Sequence, residues 1–342
     1  MTEMDEGHDR SAPSEQRVEE DVQAASVAFL LIPGFSMLAY VTAIESLRAA
    51  NQIAGRQLYR WEHMSPAAGS AAASNLVEIR CDGELGPAGH DYVFVCASDE
   101  GGEFRDSHVL AWLRSQAARG ARMGAMGGGA FLLARAGLLQ RRRVTLHWAY
   151  ASAFREEFPE VDVHRSLYEI DGPIMTSAGG MSPLDMMHAI IRDVHGEQLA
   201  VGVSEWFLHT DIREGQKPQR LSFQIRMGVN HPGLIRALER MEAALEDPLS
   251  RAELAQVAGV SERQLDRLFL AQVGLPLSAY YLKLRLERAR QLVLQTSLTL
   301  TEVAIATGFN SASTFSKSYR GQFGSPPSAH RLAWLRRKRG SA

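Results

Sequence analysis

The chain has 342 residues, 45% hydrophobic and 22% charged, with a formal net charge of −2. That length favours two domains over one, and the composition is that of an ordinary globular protein. No run of about 18 apolar residues exists to cross a bilayer, and the polar, acidic start Met1–Asp21 lacks the basic-then-apolar layout of a secretory signal.

Residues 1–24 read as a disordered acidic tail. Val27–Ile32 (VAFLLI) is a short apolar strand closed by Pro33-Gly34, and Met37–Asn51 is helix-like. Trp61–Met64, Val77–Cys81 and Tyr92–Cys96 read as further strands, and Val109–Arg119 as a helix. Ala121–Met126 is a strand that runs into Gly127-Gly128-Gly129 and the helix Ala130–Ala136. Val144–Leu146 is strand-like, Ala149–Glu157 helical, and strands follow at Val161–Val163, Leu167–Ile170 and Ile174–Thr176. Ala178-Gly179-Gly180 leads into a helix over Pro183–Val194, then another over Leu199–Thr210. Strands alternating with helices predict a mainly parallel sheet covered on both faces. The pattern fades over Arg213–Asn230, a polar stretch that reads as the inter-domain linker. The domain plan is therefore an α/β unit over 25–196, helix and linker over 197–230, an all-α unit over 231–336, and a basic tail over 337–342.

Cys81 and Cys96 sit in or near apolar runs without a CxxC partner, so buried thiols in a reducing cytoplasm are expected rather than a disulfide. His63, His90, His108, His164, His188, His195 and His209 show no HxxxH or HxH spacing, so no metal site and no cofactor is expected.

Charge is divided unevenly. From His231 to Ala342 there are 16 Lys and Arg against nine Asp and Glu, a net of +7 beside −9 for the rest. A basic helical unit fits a polyanion partner. Helix starts there are marked by capping boxes: Ser250 with Glu253, Ser261 with Gln264, Thr299 with Glu302. Ser250–Val273 and Thr299–Phe323 each read as helix, turn, helix, with turns at Gly259-Val260 and Gly308-Phe309-Asn310. The two units are an internal repeat: GLPLSA at Gly274 recurs 50 residues later as GSPPSA at Gly324. Between them a helix over Leu277–Gln295 would span about 28 Å at about 1.5 Å per residue. That is close to the ~34 Å between major-groove faces on one side of B-DNA, so one chain could place two recognition helices on a double-stranded operator. In the first, Arg263, Gln264, Asp266 and Arg267 occupy the front turns; Arg suits guanine, Gln adenine, and Asp the cytosine amino group. In the second, Ser311, Ser313, Thr314 and Lys317 take the equivalent places, and short hydroxyls suit thymine methyls or phosphates.

The segments SRAELAQVAGVSERQLDRLF, YYLKLRLERARQLVLQTSLTLTEVAIATGF and SASTFSKSYRGQFGSPPSAHR resemble the AraC/XylS family of transcription factors over about Leu234–Leu335. The resemblance implies a seven-helix DNA-binding domain that activates transcription through RNA polymerase. LLIPGFSML, GGGAFLLARAGLLQRRRVTLHW and SAGGMSPLDMM resemble the PfpI, or class I amidotransferase-like, fold, a flavodoxin-like α/β sandwich. Joined to an AraC-type domain, this is similar to the GlxA family of regulators. FREEFPEV and SEWFLHTDIREGQKPQR are closest to its members that sense betaine, carnitine or arginine-type metabolites.

In enzymes of the PfpI fold a cysteine sits at the strand-to-helix turn, a histidine follows, and an acidic residue comes from the first helix. The matching positions here are Gly127, His147 and about Ala39. Without a thiol that covalent chemistry is lost, so the expectation is a non-enzymatic sensor of a small effector. The alternative is a PfpI-class hydrolase or amidase with a DNA-binding appendage. Gly127, Gly128 and Gly129 either offer backbone N–H groups to an anion or only permit a tight turn. His147 is a pocket donor or a core histidine, and Trp148 a platform for a cationic head or packing. The resemblance places Phe35 and Ser36 at the same cleft. Glu45 is a further candidate there or a buried structural carboxylate, and a homodimer through this domain is a further partner.

Overall fold

The computed structural model describes residues 23–66 and 69–340. The acidic tail expected over 1–24 lies, up to residue 22, outside the described residues. In the N-terminal half, the strands are β1 (Ala25–Leu31), β2 (Tyr59–Met64), β3 (Ser70–Ala72), β4 (Glu78–Arg80), β5 (Tyr92–Ala97), β6 (Arg122–Gly127), β7 (Arg143–Thr145), β8 (Asp162–His164), β9 (Tyr168–Asp171) and β10 (Ile174–Ser177). The helices there are α1 (Met37–Ala54), α2 (Ser107–Ala118), α3 (Gly129–Arg135), α4 (Ala151–Glu157), α5 (Ser182–His195) and α6 (Glu197–Trp206).

The main sheet runs β2-β1-β5-β6-β10-β9. Its first five strands are parallel and β9 is antiparallel at the edge. A strand in such a sheet is buried on both faces, which is why Val27–Leu31 of β1 reads as an unbroken apolar run. Ala28, Leu30 and Ile32 enter the core beneath α2, α3 and α4. Val27, Phe29 and Leu31, their neighbours in the same strand, enter the opposite core beneath α1, α5 and α6. The strand expected over Val77–Cys81 joins the small β3–β4 hairpin instead of the main sheet, and β7 pairs with β8 in a separate parallel pair.

The C-terminal half is helical: α7 (Phe223–Met227), α8 (Pro232–Ala243), α9 (Arg251–Ala258), α10 (Glu262–Gln272), α11 (Leu277–Gln295), α12 (Leu300–Ala306), α13 (Ala312–Phe323) and α14 (Pro327–Gly340). Two cores share α11. Its Tyr280 and Tyr281 pack with α8, α9 and α10, while Leu286, Ala289, Leu292 and Val293 pack with α12 and α13. Two expectations change here. The polar stretch up to Asn230 contains α7, capped by Ser222, and its Phe223 joins the first helical core with Val229. The basic residues expected as a tail over 337–342 continue α14 as far as Gly340. Among the described residues, no helix is long and apolar enough to cross a membrane, and no cluster of side chains could hold a metal ion.

Candidate functional site

The three capping boxes close, at Ser250–Glu253, Ser261–Gln264 and Thr299–Glu302, so α9, α10 and α12 each start where two orphan N–H groups are satisfied reciprocally. The chain turns between α9 and α10 through Gly259 and between α12 and α13 through Gly308, both at φ 71°. α10 and α13 then show the same exposure register 50 residues apart. Leu265 and Phe269 are buried on α10, and Phe315 and Tyr319 on α13. With those pairs inward, Arg263, Gln264 and Arg267 face out, matched by Ser313, Thr314 and Lys317.

The proposed readers are not equivalent. Arg263, Arg267, Ser313 and Lys317 are exposed, and among the described residues their side chains make no hydrogen bond or ion pair. Gln264 commits its carbonyl oxygen to the N–H and hydroxyl of Ser261, at 3.0 Å each, and keeps only its NH₂ group for a base. Asp266 is bound to Arg251 at 2.5 Å and, with it, lines a cleft of about 600 Å³ between α10 and α11. Its carboxylate is therefore already paired at the surface of the helical domain. Ser311 is the N-cap of α13, accepting from the N–H of Thr314 and donating to that residue's hydroxyl.

In the N-terminal half, β5, β6 and β10 finish side by side. Gly127, at φ 60°, makes the sharp turn from β6 into α3. Gly128 and Gly129 have a backbone reason to be glycine: a Cβ there would collide with the carbonyl oxygens of Ser98 and Val95. The N–H of Gly128 is also taken, by Ala97 O at 2.8 Å. All three glycines are buried, so this turn is a packed junction and not an open anion cradle. Phe35 is fully buried, edge-on to Tyr40 in the core. Ser36 is the N-cap of α1, 3.4 Å from the N–H of Ala39. Glu45 is not a buried carboxylate; it is partly exposed and pairs with Arg48 at 2.7 Å.

His147 and Trp148 follow β7, which is tied to β10 by the Thr145 N–H donating to Thr176 Oγ1 at 2.8 Å. The His147 ring lies 5.3 Å from those of Trp148 and Tyr150. Burial lowers its pKa, so the imidazole is held neutral near neutral pH. Trp148 is 42% exposed. Nearby, the hydroxyls of Ser166 and of Ser177, at the end of β10, are buried with no partner.

The chain that links the two halves is laid across this edge. Fully buried Asp185 on α5 accepts from His209 Nε2 at 2.9 Å and from the backbone N–H, Nε and Nη2 of Arg213, the last at 2.6 Å. Leu167 N–H donates to Gly215 O, Gln216 bonds Glu169, and Pro218 bridges to Ser166. Gln219 accepts from the backbone N–H of Trp148 at 2.8 Å, and its amide reaches Thr145 Oγ1, Leu146 O and Ser166 O. Arg220 then sets its guanidinium over the Trp148 ring, 4.7 Å from the centroid, and pairs with Glu242 of α8 at 3.0 Å. A second bridge joins α4 and α11, where Arg288, beside Glu156, Arg155, Arg165 and Glu246, is desolvated and its pKa drops to about 10. No periodicity marks Gln219 or Arg220 in the sequence, because a docked extended segment has none. Ser166 and Ser177 are likewise silent there.

A helix-turn-helix domain model matches residues 254–333, and a DJ-1/PfpI family model matches residues 25–193. Fold and paired helical units together define a DNA-binding transcription regulator built on a DJ-1/PfpI domain. The chain is 42% identical over 319 residues to the HTH-type transcriptional regulator GlxA of Rhizobium meliloti, covering 92% of this chain and 96% of that one. It is 43% identical over 304 residues to the HTH-type transcriptional regulator CdhR of Pseudomonas aeruginosa, covering 89% and 90%. It belongs to this family of HTH-type transcriptional regulators, with an AraC-type DNA-binding domain. A THiJ/PfpI family protein from Pseudomonas syringae shares the fold, with a TM-score of 0.50 and 16% identity over 73% of this chain and 97% of that one.

Proposed function

We propose that this regulator is a cytoplasmic activator controlled by a small metabolite of amine or amino-acid type. The effector binds at the edge where β6 and β10 end, and no reaction is catalysed there. The observation that carries this reading is the Gly127 turn beside His147, Trp148 and the two unpartnered hydroxyls of Ser166 and Ser177. Buried polar groups almost always have partners, and a small polar ligand would supply them. The position that holds the nucleophile in enzymes of the fold has no side chain. The two cysteines are buried, which pushes both thiols up and keeps them from the reactive thiolate form. DNA is read by Arg263 and Arg267 of α10 and approached by Ser313, Thr314 and Lys317 of α13. Activation runs through RNA polymerase, and the N-terminal domain pairs two copies.

The test is a thermal-shift screen of the full chain against small amines and amino acids, followed by operator binding with each hit. A hit that raises the melting temperature and changes operator affinity supports the reading. Hydrolysis of amide or peptide substrates above background, or a panel without any hit, would overturn it.

A further inference from the structure

Arg220 is the point at which the proposed effector site and the DNA-binding half meet. Its guanidinium faces Trp148 in one and Glu242 in the other. Glu242 is also bonded by Arg226, whose guanidinium lies 4.1 Å from the centroid of the Phe223 ring, in the first helical core. Whatever moves Arg220 therefore acts on the start of the DNA-binding domain. The same contact shows what the site accepts. An aromatic face attracts a cation through its quadrupole, and a flat guanidinium stacks on indole in a way a compact ammonium does not. Trp148 already holds such a cation, supplied by the chain itself.

We propose that Arg220 is an internal stand-in for the effector: a ligand bearing a guanidinium or a similarly diffuse cation takes its place over Trp148, and the linker is released from the sensor edge. This rests on the effector site proposed above and adds its mode of coupling, the displacement of Arg220 from Trp148. Two ligands cannot share one face of the indole, so seating of Arg220 and seating of the effector exclude each other. Equilibrium then shifts only by the difference in affinity between the two states. Gln219 belongs to the same release, because its carbonyl oxygen is held by the backbone N–H of Trp148 and its amide by Ser166 O. The Asp185–Arg213 anchor upstream stays in place, so the movement is confined to the segment between Arg213 and Ser222.

The experiment uses methylguanidinium as the probe and the full-length chain, titrated by calorimetry. Arg220→Gln removes the internal cation while keeping a polar side chain, and is expected to bind the probe about tenfold more tightly than the wild type. Trp148→Ala in the Arg220→Gln background should erase that gain, and Trp148→Phe, which keeps an aromatic face and guards against a folding defect, should retain part of it. In the wild type, saturating probe should speed tryptic cleavage after Arg220, read by mass spectrometry. Equal affinity in wild type and Arg220→Gln, with weaker binding in Trp148→Ala, would overturn the displacement while leaving the effector site standing. Unchanged binding in the Trp148 variants, or no binding by Arg220→Gln at millimolar probe, would overturn the site itself.

Discussion

Arg267 on α10 and Lys317 on α13 hold the same register position 50 residues apart, each two residues beyond a buried core residue, Leu265 and Phe315 respectively, and two before another, Phe269 and Tyr319. Both side chains are exposed. The chemistry differs, because a guanidinium can engage guanine with two parallel bonds and an ammonium acts as a point charge. Arg267→Ala is expected to cost about 1–3 kcal/mol in operator binding and to relax preference at one or two base pairs. Lys317→Ala should weaken all sequences alike and lower the salt slope by about one. Binding titrations on wild-type and single-base-changed operators at several salt concentrations check both. Asp266→Ala should leave the base preference unchanged, since that carboxylate is held by Arg251.

Asp185 anchors the linker with four bonds from two residues while being fully buried. Asp185→Asn leaves Arg213 without its counter-charge. The expected cost is about 2–4 kcal/mol, below that of a fully buried pair because the Arg213 side chain is about one third exposed. Chemical denaturation measures the loss. Tryptic cleavage after Arg213 should be faster in the variant than in the wild type.

Gly128→Ala places a methyl group against the carbonyl of Ser98, and backbone on both sides cannot yield. It is expected to lower stability by about 2 kcal/mol or more, an overpacking cost. Gly83→Ala, where a Cβ meets nothing within 4 Å, should change the stability by less than about 0.5 kcal/mol. Thermal melts of the two variants side by side separate a packing glycine from a permissive one.

Burial lowers the pKa of His147, His188 and His195. The unfolded chain, with histidines near 6.5, therefore takes up protons before the folded one does. The stability that these groups contribute is present above about pH 6.5 and is lost as the pH falls below it, until the lowered folded values are reached. The denaturation midpoint should fall between about pH 7.5 and about pH 5.5. His195→Phe should flatten that fall, because the Nε2 of His195 is buried without a partner and its ring already packs edge-on against Tyr59.

Much of this protein is settled by local sequence. The unbroken apolar run of β1 already states that both faces of its sheet are covered. The pairs Ser250–Glu253, Ser261–Gln264 and Thr299–Glu302 mark helix starts because capping joins residues three apart. The 50-residue repeat places Arg267 and Lys317 in equivalent positions, and the missing thiol at Gly127 is visible as a letter. Tertiary structure decided the rest, where partners lie far apart in the chain. Gly128 answers to the carbonyl of Ser98, Asp266 to Arg251, and Asp185 to His209 and Arg213. The stretch between α6 and α7 looks like a loose linker because an extended segment held by side-chain bonds has no hydrophobic period to display. That segment carries Gln219 and Arg220 onto Trp148, a contact between residues about 70 positions apart.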